Sequence, residues 1–183
     1  MLNKVIKFPI LAEHSADQIV VYQAFNEAIG KPAAAAGTLD VPAFSKTRMT
    51  WIKPSFLWMM YRSGWGRKDT GQQVILRLTM RRDGFAHLLR NACLSSYDPA
   101  IYPDRAEWQA ELAAHPNRVQ WDPDKDLHLQ PMDRRAIQIG IAGAYVPVYL
   151  QAIISVEDIT PKRSRSRLWW RPARWMKPKR GSR

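Results

Sequence analysis

The chain has 183 residues, 46% of them apolar, with a single Cys and 13 Pro. That length fits one domain, or one domain with an appendage, and buries enough surface to fold without disulfides or metal. One cysteine excludes an intramolecular disulfide framework, the apolar content excludes global disorder, and a net charge of +12 points to an anionic partner once its location is known.

Met1–Leu11 carries two lysines but no long apolar core and no small-residue cleavage site, so no signal peptide is expected. Ile19–Phe25 is β-branched and aromatic and predicts a buried strand. A helix is expected over Ala28–Ala36, with Pro32 in its first turn and Gly37 as its stop. Ser45–Lys53 predicts a loop or short strand. Pro54 opens a second helix over Ser55–Ser63, closed by Gly64, and a turn-rich loop runs to Gly71. Val74–Met80 alternates and predicts a strand. Asp83 is expected to cap a helix that runs to about Asn91, and Asp104–Ala114 forms another. Arg118–Trp121 and Leu127–Gln130 predict short strands around an Asp-Pro-Asp-Lys-Asp turn.

Ala136–Val156 is 21 residues without a charge, long enough to cross a bilayer. Its period-2 opening at Ile137, Ile139 and Ile141, together with Pro147, argues instead for a strand over Arg135–Ile141 and a helix over Ala144–Ala152. Ile153–Ile159 then forms a last strand. No transmembrane segment is expected, and a cytoplasmic location is. The mixture lacks steady βαβ spacing. The fold class expected is therefore α+β, a single domain over residues 1–160 with a curved or split mixed β-sheet and flanking helices. Residues 161–183 hold ten of the 28 basic side chains, no acidic one, and interleaved tryptophans. The other 160 residues carry 18 basic against 16 acidic, so the excess charge belongs to the tail. The tail is expected to be disordered when free and to bind an anionic surface or a nucleic acid.

Several chemistries are excluded by motif. The chain has no P-loop, no G-x-G-x-x-G and no G-x-S-x-G elbow. Its four histidines lack zinc spacing, and Asp122–Asp126 lacks the Gly and Glu that a calcium loop requires, so no metal is expected. The densest feature is Arg48–Trp65, with three Trp, one Tyr, one Phe and three cations in 18 residues. Phe56, Met59 and Met60 share one helix face and belong to the core. Arg48, Trp51, Lys53 and Ser55 instead precede or open the helix, where free N–H groups and the helix dipole favour an anion. A cation and a flat aromatic there suit a phosphate and a ring. Gln23 and Gln138 are polar within apolar strands and need partners, either core groups or a ligand. Glu157 and Asp158 are adjacent on a strand and point to opposite faces, so they are not a catalytic carboxylate pair.

The segments Ile19–Asn26, Arg48–Trp65, Gln120–Pro123, Ile137–Gly140 and Glu157–Thr160 together resemble a family of bacterial and fungal proteins defined only as a domain of unknown function. The resemblance spans roughly residues 10–160 and leaves the tail outside. In the order of its first strand and helix, Tyr22–Gln23 followed by the Ala33–Gly37 helix end, the chain is also similar to ADP-ribosyltransferases. That second resemblance implies an NAD-using enzyme. It puts Gln23 at the first-strand catalytic position, Ser55 or Tyr61 in the middle, and Gln138 or Glu157 on a late strand. Arg48 and Lys53 would hold the pyrophosphate, Trp51 or Tyr61 would stack on a ring, and Tyr22 would line the cofactor site. The acceptor would be a nucleic acid or a protein. The competing expectation is a non-catalytic nucleic-acid-binding module built from the same cluster and the tail.

Overall fold

The computed structural model describes residues 8–161. The expected tail, all but its first residue, lies outside them. Strand β1 (Gln18–Phe25) runs into helix α1 (Glu27–Ala36), which begins because the Asn26 side chain accepts the Ile29 N–H. Gly37 ends α1 in the left-handed region at φ 67°. Pro32 lies inside α1 and not in its first turn, which corrects the expected placement. Its missing N–H removes one bond of the helix ladder, to Ala28. Short strand β2 (Thr50–Ile52) leads to helix α2 (Phe56–Ser63), capped by the Ser55 hydroxyl and closed by Gly64 at φ 55°.

Strand β3 (Val74–Arg81) is followed at once by helix α3 (Arg82–Arg90). Asp83 lies in the first turn of α3 and does not cap it, because the strand's own end at Arg81 occupies the cap position. Strand β4 (Ala92–Leu94) is three residues long and was not anticipated. Helix α4 (Arg105–Ala114) is capped by Asp104. Strand β5 (Asn117–Lys125) absorbs the expected Asp-Pro-Asp-Lys turn, with a register shift at Pro123–Lys125. Leu127–Gln130 is correspondingly the turn and not a strand. The Asp126 carboxylate accepts the His128 and Gln130 N–H groups there, and Leu129 adopts φ 61°. Strand β6 (Pro131–Ile141), helix α5 (Val146–Ala152) and strand β7 (Ile153–Asp158) complete the chain order. The long uncharged stretch is thus strand, helix and strand. Among the described residues no helix is long and apolar enough to cross a membrane.

Two sheets result, one of order β1-β3-β7 and one of order β2-β6-β5-β4. All pairings are antiparallel except β4 with β5, so the fold is α+β with a split mixed sheet. The sheets are stitched at one point. Tyr22 N–H donates to the Lys53 carbonyl at 2.8 Å and Lys53 N–H donates to the Tyr22 carbonyl at 3.0 Å. The main core lies where both sheets meet α3 and α5, around Leu76, Leu78, Ile139, Ile141 and the fully buried Tyr149. Gly84 lets α3 approach α5, since a Cβ there would stand 2.5 Å from that of Ala152.

Candidate functional site

The four-stranded sheet has two chemically distinct faces, as period-2 alternation requires. Ile52, Val119, Ile137, Ile139 and Ile141 point into the core. Trp51, Lys53, Gln120, Asp122, Gln138 and Gly140 share the other face, because Gln120 pairs with Gln138 and Trp51 with Gly140. Beyond the Tyr22–Lys53 stitch, the end of β1 is no longer paired with β2. The polar face, the end of β1 and α2 flank a half-open cleft of about 450 Å³. Its walls include Gln23, Phe25, Met49, Thr50, Trp58, Met59, Arg62 and Gln72 besides the sheet residues.

Lys53 is the most unusual group there. Its side chain is 8% exposed, and its ammonium makes no hydrogen bond and no ion pair within 4 Å among the described residues. Burial first, and then the like charge of Arg62, lower its pKa to about 8, against a smaller opposing pull from Asp122. Asp122 makes no ion pair with it within 4 Å among the described residues, and two neutral amides fix its carboxylate instead. Oδ1 accepts from Gln120 Nε2 at 3.0 Å and Oδ2 from Gln138 Nε2 at 2.8 Å. Arg62 is exposed on the same cleft and has no acidic partner among the described residues. Trp51, half-buried, lies against Gly140, where a Cβ would meet its ring at 2.9 Å. The buried Trp58 Nε1–H has no acceptor among the described residues.

The expected site residues divide into two groups. Gln23, Trp51, Lys53 and Gln138 converge on the cleft. Gln23 spends its amide on the protein: Nε2 donates to Thr50 Oγ1 at 2.7 Å and to the Trp51 carbonyl at 3.1 Å, while Oε1 accepts from Tyr149 at 2.7 Å. It positions β2 beside β1. Tyr22 points to the opposite face of its strand, against Phe56, and burial together with Glu13 pushes its hydroxyl up to about 12. Glu157 lies across from Tyr22 on that same far face. It pairs with Arg77 at 3.2 Å, and Arg77 also holds Glu13 at 2.6 Å. Of the two late-strand alternatives, only Gln138 reaches the cleft. Arg48 is exposed and outside the lining. Ser55 caps α2 and donates to Asp124 at 2.7 Å, which ties the helix start to β5. Tyr61, 42% exposed, stacks on Trp58 with Lys125 Nζ 4.0 Å from its ring.

Asp122, Gln120 and Arg62 were missed as site residues. The alternation of Val119-Gln120-Trp121-Asp122 did place the two polar groups on one face, but their partnership with Gln138 depends on a register that a lone sequence does not display. Among the described residues no cluster of His, Cys, Asp or Glu is suited to hold a metal ion.

The family model described as Domain of unknown function (DUF4291) matches residues 9–177, and the chain belongs to that family. The match continues through most of the basic, tryptophan-bearing tail, which corrects the expectation that the tail lies outside the family's span. No curated protein matches the chain.

Proposed function

We propose that this member of the DUF4291 family is a nucleotide-using transferase of the ADP-ribosyltransferase type. Its donor, NAD, lies in the cleft, and its acceptor is a nucleic acid or a protein. The observation that carries this reading is a half-open cleft lined by Lys53 and Arg62, neither of them in an ion pair among the described residues, beside a carboxylate held by two amides. A purely nucleic-acid-binding module needs a basic face free of carboxylates, and Asp122 stands among the lining residues.

NAD supplies a ribosyl carbon that gains positive charge as neutral nicotinamide leaves. Arg62, exposed at the cleft, is placed to take the pyrophosphate. Trp51 offers a flat face for a ring, braced by its contact with Gly140. Asp122 is the carboxylate that stabilises developing positive charge, and Gln120 and Gln138 hold it in one orientation without reorganisation. Gln138 therefore works through Asp122 and is a positioning residue. The basic residues of 162–183 supply long-range attraction for an anionic acceptor.

The test is incubation of the full chain with NAD and RNA, DNA or protein acceptors, with nicotinamide release and a thermal shift as readouts. Release is expected, and Asp122→Asn should lower its rate about a hundredfold while leaving the NAD-dependent thermal shift in place. Absence of both release and shift would end the reading.

A further inference from the structure

Lys53 is more than a second phosphate ligand. An ammonium that serves only to bind phosphate is ordinarily exposed or paired, and retains its charge. Here Pro54 and the two backbone bonds to Tyr22 hold the residue at the junction of the sheets. The residue is buried yet lines the cleft, and its ammonium makes no hydrogen bond or ion pair among the described residues. Asp122, fixed in place by Gln120 and Gln138, makes no ion pair with it among the described residues and offsets only part of the effect of burial. Arg62 adds a second positive charge that disfavours protonation.

We infer that Lys53 is a nucleophilic amine, and that the cleft takes a phosphorylated aldehyde or ketose, whose carbonyl carbon Lys53 captures as an imine. The inference rests on the phosphate-binding half of the function proposed above and not on its NAD chemistry. The Lys53 Nζ lone pair forms the new C–N bond, and the carbonyl oxygen departs as water with the two protons of the amine. No oxidant or reductant is needed. Arg62 would hold the phosphate and Asp122 lies close enough to influence the amine's charge. A lysine that titrates near 8 carries a far larger share of free amine at neutral pH than an exposed one, which is the property an imine-forming lysine requires.

The test uses the full chain with pyridoxal 5′-phosphate, a phosphorylated aldehyde, followed by borohydride reduction and peptide mapping. Lys53 should label about tenfold faster than any exposed lysine, and Lys53→Met should lose that fast phase alone. Labelling of Lys53 no faster than that of surface lysines would overturn the inference. Pyridoxal, which lacks the phosphate, should label Lys53 much more slowly; equal rates would overturn the phosphorylated class of ligand. Slowing of the fast phase by NAD is expected if both readings hold. A fast phase that NAD leaves untouched keeps the imine-forming lysine and removes NAD from the cleft.

Discussion

Lys53 and Gln23 are both buried polar residues on the same cleft, and they have reached opposite solutions. Gln23 spends both amide N–H groups and its carbonyl oxygen on Thr50, the Trp51 carbonyl and Tyr149, so it acts as a brace. Lys53 has no such partner among the described residues, and its burial is a cost carried by the fold. Its sign follows from linkage. The folded-state pKa of about 8 lies below the ordinary 10.5, so between those values the unfolded chain binds more protons and this group's contribution to stability rises with pH. Below pH 8 the cost of burying the charge is fully present. Lys53→Met should therefore be more stable than the natural chain by about 2–3 kcal/mol at neutral pH, and the difference should close as pH rises from 8 to about 10.5. The measurement is a pair of urea denaturation series across that range. Tyr22 and Tyr149, whose hydroxyls burial holds protonated, act in the opposite sense above pH 10, but they are common to both proteins and cancel in the difference.

At the scale of elements, the helices are positioned by a few close approaches. Gly30 on α1 faces Val74 on β3 so tightly that a Cβ would fall 2.4 Å from the valine's own. Gly84 on α3 meets Ala152 on α5 in the same way at 2.5 Å. Gly84→Ala should cost about 1–3 kcal/mol through overpacking, despite the better helix propensity of alanine. Adding Ala152→Gly removes the clash and should recover part of that loss. Thermal denaturation of the four members of the cycle decides this, and strict additivity would show that the two sites are not coupled. The caps at Asn26, Ser55 and Asp104 were not identified from the sequence, which placed Ser55 and Asp104 inside their helices, although the helices themselves were expected there. The cap of α3 was misread because Asp83 follows a strand that runs straight into the helix, leaving no intervening residue to serve as a cap.

At the scale of the whole molecule, charge and chemistry are in different places. The cleft sits in a body that is almost neutral, and ten cations lie after Pro161. Because the family match continues to residue 177, most of that basic stretch is part of what defines the family. If it recruits an RNA or DNA acceptor, affinity should fall about a thousandfold between about 50 and 200 mM salt, the slope expected when several phosphates are neutralised. Fluorescence anisotropy of a labelled oligonucleotide measures this. A chain ended at Pro161 that kept the same salt slope would place the contacts on the body instead.

The amino-acid sequence by itself determined the α+β class, most strand and helix positions, the family, and the cluster from Arg48 to Trp65 in which Trp51 and Lys53 sit. Those features are written in local periodicity, capping and rare residue types. It could not distinguish Gln138 from Glu157, or Arg48 from Arg62. Strand register and the face each side chain takes arise only when distant segments pair, and here β6 turned Gln138 toward Asp122 while β7 turned Glu157 toward Arg77. Whether a lysine ends as a solvated cation or as a buried group with no ion pair among the described residues was likewise decided by tertiary contacts, because desolvation depends on what the rest of the chain lays over it.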